Sequence, residues 1–434
     1  MSVASFAFIT LGCVKNEADS ERIASSLTAA GHRAAAVDRA DLVIVNTCGF
    51  IDAAKEESIA ALLDAAEAVK ARGARLAAYG CLVQRYRDEL AGELAEVDVF
   101  SGFDITPLVE ALDRIAAGRD GEVALADAHP GRRAPARPLH AYLKISDGCD
   151  RRCTFCAIPL IKGAYEVVPP GEILELAEAA LSRGARELVL VGQDTARWSF
   201  AGYGGIDRLL ADLSALGPLW LRLLYLQPED VSESLLTALG RFAVPYLDIP
   251  FQHASRKVLR RMGRTGDGAA FLKLIERARD TVPEAALRST FIVGFPGESE
   301  SDFEELLDFV AQSGIAVGGV FPFDPQQGTR AATLGRPVPK EVCRDRAARL
   351  SYALESAALG YWSSLIGSQQ KMLVETGLRG REGEAIGRIA PQAPDVDGRT
   401  LVHGLVCRRG QTTTIRVDGV VGFDLVASAG GPQH

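Results

Sequence analysis

Strand-like and helix-like runs alternate along the first 117 residues of this chain, and each of the first three strands leads into a cysteine. Phe6–Leu11 ends in Gly12-Cys13, Leu42–Val45 in Asn46-Thr47-Cys48, and Ala74–Tyr79 in Gly80-Cys81. Helical patterns follow at Asp19–Ala30, Ala53–Arg72 and Leu82–Glu93, and a fourth strand, Val97–Phe100, precedes a helix at Ile105–Ala117. Such alternation predicts an α/β domain: a parallel sheet with helices on both faces. All strands of a parallel sheet point the same way. The three cysteines therefore share its carboxyl edge, where open α/β sheets bind ligands.

A lone cysteine at a strand end is most simply a small buried residue. Here all three strands end so, two of them with a glycine that allows close backbone approach. That pattern points to a trio of thiolates binding a metal cluster. Cys343 and Cys407, in an amphipathic helix and an apolar strand-like run, read as packing.

A second trio occupies Gly148-Cys149-Asp150-Arg151-Arg152-Cys153-Thr154-Phe155-Cys156, with spacing C-x3-C-x2-C. Iron–sulfur clusters are usually held by four thiolates. Three thiolates would leave one iron open to a small molecule. Structural zinc is the competing reading, and it wants four closed ligands. No fourth cysteine is near, and His140 opens an apolar strand-like run, His140–Ser146, that directs it elsewhere.

The 434 residues suggest three domains. A hydrophobic content of 47%, a charged content of 24% and a net charge of -8 describe an ordinary globular chain, not a general polyanion binder. No apolar run approaches the ~20 residues of a membrane span. No basic residue precedes Lys15, so a secretory leader is not expected. The expectation is a cytoplasmic chain whose thiols stay reduced.

Residues 119–138, rich in Pro, Gly and charge, read as a linker. Alternation then resumes, with strands expected at Ala141–Ile145, Glu187–Val191, Trp220–Leu226, Tyr246–Ile249, Leu287–Val293 and Gly318–Phe323. Helices fall between them, among them Gly171–Arg183, Ile206–Leu216, Ala269–Thr281 and Glu300–Ser313. Six βα units predict a partial barrel with its chemistry at the strand C-termini. Cys149, Cys153 and Cys156 follow its first strand. Other polar groups gather at strand ends: Gln193, Asp194 and Thr195, then Asp248 and His253, then Arg288. The turn Gly294-Phe295-Pro296-Gly297-Glu298 lacks the Lys-Ser/Thr of a P-loop and reads locally as a turn into a helix. His253, alone, reads as a satisfied buried polar group.

With both trios in view, the chain resembles the radical S-adenosylmethionine (radical SAM) methylthiotransferases. The resemblance rests on the two cysteine sets, on Phe155 as the aromatic before Cys156, and on Asn46–Phe50, Leu247–His253 and Phe291–Glu298. It implies an N-terminal domain at 1–118, the 119–138 linker, a radical SAM core at 139–366 and a TRAM-like antiparallel β-barrel at 367–434. It implies two 4Fe–4S clusters, one on Cys149, Cys153 and Cys156 that cleaves S-adenosylmethionine, and one on Cys13, Cys48 and Cys81 that carries or donates sulfur. One S-adenosylmethionine is then methyl donor and another the radical source. Phe155, Gln193, Asp194, Gly294, Phe295, Pro296 and Gly297 become cofactor contacts, and a low-potential donor such as flavodoxin or ferredoxin an electron partner. An unactivated C–H bond lies beyond general acid–base chemistry, so such a step falls to a cofactor.

Two branches of that family differ in substrate, one modifying an adenosine of transfer RNA and one an aspartyl β-carbon of small-subunit ribosomal protein twelve. Leu11–Asn16 with Asp19–Glu21, Cys48–Asp52, Ala385–Arg388 and Ala393–Gly398 resemble the ribosomal-protein branch, although Val14 stands where that branch usually has Pro. Residues 367–434 carry eight Lys and Arg against seven Asp and Glu, where RNA binding favours a clear basic excess. A basic ribosomal protein would be steered toward an acidic chain. RNA is the weaker expectation, and a non-enzymatic iron–sulfur carrier or a zinc-stabilised RNA-binding protein are the readings from other classes.

Overall fold

The computed structural model describes residues 3–118, 138–377, 384–405 and 407–430. Of the expected linker only Pro138 falls inside them; Arg379, Arg381 and Glu382 of the C-terminal charge count lie outside.

The N-terminal sheet contains β1 (Ser5–Thr10), β2 (Arg33–Ala34), β3 (Leu42–Thr47), β4 (Arg75–Gly80) and β5 (Val99–Ser101), in the order β2-β1-β3-β4-β5 and all parallel. Helices α1 (Val14–Ala29), α2 (Asp52–Lys70), α3 (Cys81–Glu93) and α4 (Thr106–Ala117) cover it. Apolar residues dominate β3, which is buried on both faces, as a central strand between two helical layers requires.

The middle of the chain curls six parallel strands into an arc. They are β6 (His140–Lys144), β9 (Glu187–Val191), β12 (Trp220–Leu223), β13 (Tyr246–Asp248), β14 (Ala286–Val293) and β15 (Val317–Pro322). Two three-stranded sheets, β12-β9-β6 and β13-β14-β15, meet where Leu226 N–H donates to Asp248 O at 2.9 Å and Val244 N–H to Leu221 O at 2.8 Å. Short hairpin pairings decorate the arc: β7 (Ser146–Asp147) with β8 (Glu166–Val167), and β10 (Ser199–Phe200) with β11 (Gly204–Gly205). The first brackets the loop that carries the second cysteine trio and the short helix α5 (Ile158–Lys162).

A long helix, Lys340–Ser364, leads into a closed five-stranded barrel of Gln369–Gly377, Glu384–Ile389, Thr400–His403, Thr412–Val421 and Asp424–Ala429. Cys343 is buried in that helix, as packing predicts. Cys407 is not in a strand; it lies half-buried in the loop before Thr412, against the apolar core of the barrel. Among the described residues no helix is long and apolar enough to cross a membrane.

Ion pairs buried at the domain contacts fix the parts together. Glu187 on β9, fully buried, takes Arg222 Nε at 2.7 Å from β12 and Arg388 Nη1 at 2.7 Å from the C-terminal barrel. Arg222 also donates to Ala390 O and Gln392 O, so its guanidinium reaches into the barrel as well. A buried charge stripped of its partner is costly. Glu187→Gln is expected to destabilise the chain by about 3–5 kcal/mol, read as a lower denaturant midpoint. An unchanged midpoint would show that the contact carries no stability.

Candidate active site

The first trio is assembled by three loops at one sheet edge. Cys13 is the N-cap of α1, Cys48 follows β3, and Cys81 is the first residue of α3. Cys13 and Cys81 thus both sit at the N-terminal ends of helices. Gly12 has φ +86, and a Cβ there would lie 2.7 Å from Cys48 Cβ; Gly80 has φ +101, and a Cβ would lie 2.5 Å from Asn46 Oδ1. Side-chain chains of two glycines would therefore wedge the loops apart.

Polar side chains lace these loops. Asn16 Nδ2 donates to Leu11 O at 2.8 Å and Thr47 O at 3.2 Å, and Asn46 Nδ2 donates to Asn16 O and Ser20 Oγ. Thr47 Oγ1 donates to Tyr79 O at 2.6 Å, and Cys48 N–H donates to Ser58 Oγ at 2.9 Å. The Asn46-Thr47-Cys48 run is explained by this: two hydrogen-bonding residues hold the neighbouring loops and the third presents sulfur.

The second trio sits in the loop after β6. Gly148 has φ +65, and a Cβ would come within 1.8 Å of Ala164 O, so only glycine fits. Cys149 N–H donates to Gly163 O and Cys156 N–H to Cys153 O. Thr154 pins the loop on both sides, by its N–H to Met262 O and its Oγ1 to Arg261 O, each at 2.8 Å. Phe155 is half-buried against the main core.

The two sulfur-bearing regions meet where the N-terminal domain packs on the core. Cys81 packs on Ala157 and Ile161, the turn directly after Cys156. Beside that contact, Asp19 of α1 pairs with Lys144, and with Lys162 of α5 at 3.1 Å; Asp147 joins both lysines at 2.7 and 3.2 Å. Burial would raise the Asp147 carboxyl, yet the two ammonium groups hold it down to about 2. The N-terminal domain is therefore locked to the core next to the cysteines, not tethered loosely.

All eight cysteines are free. Burial pushes up the thiols of Cys48, Cys149 and Cys153, and those of Cys81 and Cys156 to about 12. Such thiols are poor nucleophiles alone, whereas a coordinating metal deprotonates them outright. Among the described residues no three His, Cys, Asp or Glu close round a single ion. Three thiolates in each set are soft donors of the kind an iron–sulfur cluster takes, whereas structural zinc takes four closed ligands.

The other expected contacts divide. Gln193 and Asp194 lie at the end of β9 beside the cysteine loop; Gln193 Nε2 donates to Asp147 Oδ1, and fully buried Asp194 takes Arg151 Nε at 2.6 Å. Burial raises the Asp194 carboxyl in spite of that arginine. Gln193 Oε1, Asp194 Oδ1 and Gln227 Oε1 are buried without hydrogen-bond partners among the described residues, a polar lining that a small polar ligand would satisfy. The turn at 294–297 is placed differently. Phe295 is buried against Phe323, Gly294 abuts Cys343, and Gly297 abuts Arg261, whose Nε donates to Pro296 O. Only its backbone, through Arg261, reaches the cysteine loop. His253 is buried and neutral, with its pKa lowered to about 3 by burial, and its Nδ1 accepts from Ser255 N–H. His140 pairs with Asp395 at 3.1 Å, far from any metal role. Sequence reasoning did not single out Lys15 and Tyr225, which meet between the N-terminal domain and the core, with Lys15 Nζ 3.4 Å from the centroid of the tyrosine ring.

A partial parallel barrel with three cysteines after its first strand defines a radical SAM enzyme. Residues 143–310 match the model of the radical SAM superfamily, residues 5–102 that of uncharacterized protein family UPF0004, and residues 366–429 that of the TRAM domain. Similar solved folds include the radical S-adenosylmethionine methyltransferase TsrM from Kitasatospora setae, with a TM-score of 0.54 at 14% identity, covering 76% of this chain and 77% of that one. The chain belongs to the ribosomal protein uS12 methylthiotransferase RimO family. It is 40% identical to the member from Moorella thermoacetica over 95% of this chain and 96% of that protein, and 38% identical to the member from Pelotomaculum thermopropionicum over 96% and 97%.

Proposed function

We propose that this radical SAM methylthiotransferase modifies the β-carbon of an aspartyl residue in ribosomal protein uS12, with two 4Fe–4S clusters and S-adenosylmethionine as its cofactors. The observation that carries this reading is the packing of Cys81, of the first trio, on Ala157, the residue after Cys156 of the second. Cys149, Cys153 and Cys156 would hold one cluster, and Cys13, Cys48 and Cys81 the other. When bound, a cluster with an open iron supplies the one-electron chemistry that an unactivated C–H bond requires.

The chain's own residues supply position and enclosure. Asn16, Asn46, Thr47 and Ser58 hold three sulfur-bearing loops in register. Thr154 fixes the second loop against Arg261 and Met262. Phe155, Gln193 and Asp194 would line the S-adenosylmethionine side, along with the backbone of the turn at 294–297. The same reading puts the chain in the cytoplasm, where thiols stay reduced, with a flavodoxin- or ferredoxin-like donor of electrons.

A transfer RNA substrate is the rival, and the charge of the C-terminal barrel speaks against it. Arg388 is withdrawn into the Glu187 pair and Arg416 is engaged by Asp418, so neither is offered to phosphate. Mass spectrometry of uS12 and of bulk transfer RNA from cells lacking this gene separates the two. Loss of a methylthio group from uS12 is expected; its loss from transfer RNA alone would overturn the substrate assignment.

A further inference from the structure

Next to the first trio stands a cation that the cluster ligands do not explain. Lys15 lies two residues beyond Cys13, half-buried, with Nζ 3.4 Å from the centroid of the Tyr225 ring. From the first turn of α1, which Cys13 caps, the ammonium reaches across to the strand ends of the core, where Tyr225 follows β12 and its carbonyl accepts from Thr195, the neighbour of Asp194. Nearby cations are matched to carboxylates: Lys144 and Lys162 to Asp19 and Asp147, Arg151 to Asp194, Arg264 to Glu229. Lys15 has no ion-pair partner among the described residues. Asp248, the carboxylate it senses, is already engaged by Tyr225 N–H at 3.0 Å and by Arg288 at 4.0 Å.

Its platform is built at a cost in backbone conformation. Tyr225 has φ +63, a left-handed conformation that a non-glycine residue adopts only when its surroundings hold it there. Asp248 on one side and Thr195, whose Oγ1 donates to Tyr225 O, on the other do so. The strand ends at Leu223, and the ring turns out beneath Lys15 instead of continuing β12. An ammonium resting on an aromatic face gains less than one hydrogen-bonded to a carboxylate. The site is thus ready for an incoming anion.

Resting on the proposed aspartyl substrate, we infer that Lys15 is the group that receives the side-chain carboxylate of that aspartate and so sets its β-carbon between the two trios. The substrate carbon to be modified is bonded directly to a carboxylate. A cation at this place binds the charge, orients the adjacent C–H and discriminates aspartate from its neutral isostere asparagine.

The test uses the full chain, anaerobically reconstituted, with a fluorescent uS12 peptide that carries either Asp or Asn at the modified position. Fluorescence anisotropy reads the Kd of each and mass spectrometry reads turnover. The parent protein is expected to prefer the Asp peptide by about tenfold or more, the worth of a charge-assisted hydrogen bond. Lys15→Gln should reduce that preference to within about twofold, Lys15→Arg should restore part of it, and the Kd for S-adenosylmethionine should not move. Tyr225→Leu, which removes the platform and keeps the amine, serves as the second variant if Lys15→Gln fails to take up iron; it should weaken the preference several-fold. Undiminished preference for Asp in these variants overturns the inference, as does a selective loss of S-adenosylmethionine binding, which would give the ammonium to the cofactor's carboxylate. If the parent modifies transfer RNA and neither peptide, the substrate reading itself falls, a different failure from the first two.

Discussion

Replacing Cys149, Cys153 and Cys156 together with Ala is expected to remove all reductive cleavage of S-adenosylmethionine and, with it, methylthio transfer. The side chains that could substitute are engaged elsewhere: His140 by Asp395, and the carboxylates in and beside the loop, Asp147, Asp150 and Asp194, by Lys144, Lys162, Arg197 and Arg151. The loop fold itself should survive, because Gly148, Thr154 and the hydrogen bonds of Cys149 and Cys156 through their backbones do not involve sulfur. Chromatography of 5′-deoxyadenosine after addition of a strong reductant checks this. Cleavage persisting within about tenfold of the parent would exclude this loop as the reductive site.

Replacing Cys13, Cys48 and Cys81 with Ala gives the opposite separation. Methylthio transfer to uS12 is expected to vanish while cleavage of S-adenosylmethionine continues. The two trios belong to different domains, and the contact between them runs through Cys81 packing and the Asp19–Lys162 pair, neither of which forms part of the 149–156 loop. Alanine preserves that packing approximately, since Cys behaves as a small hydrophobe where it is buried. Loss of both activities together would mean that the first trio is needed to assemble the second. Full methylthio transfer would remove any role for these thiols in delivering sulfur.

Much of this arrangement was legible in the residues. Strand–helix alternation located the parallel sheet and the six-stranded arc, because buried parallel strands carry continuous apolar runs such as Leu188–Val191. Strand direction alone put Cys13, Cys48 and Cys81 at one edge. What escaped was set by polar and tertiary contacts. Helix α1 starts at Val14, five residues before the expected Asp19, since its first turns are buried through Asn16, Asp19 and Ser20 and so carry no apolar period. The strand expected to reach Leu226 stops at Leu223 because Tyr225 is left-handed, a conformation imposed by Asp248 from another strand. Strand β2 is two exposed residues with no pattern to read.

The candidate site followed the same division. Sulfur positions could be read because spacing and strand ends encode them. Gln193 and Asp194 lie at the end of β9, and no sequence pattern displays that Gln193 Oε1 and Asp194 Oδ1 are buried without partners among the described residues. Phe295 looked like part of a ligand turn but is core, packed against Phe323, since a Gly/Pro turn does not say which side its aromatic takes. Lys15 stands inside a motif that drew attention for its cysteine, and only the fold brings Tyr225, more than two hundred residues away, beneath it.

The most direct measurement of the central claim is iron and sulfide analysis of the anaerobically reconstituted chain alongside its two triple variants. Two facing cluster sites predict about eight iron atoms in the parent and about four in either variant. About four in the parent, unchanged when Cys13, Cys48 and Cys81 are replaced, would contradict it.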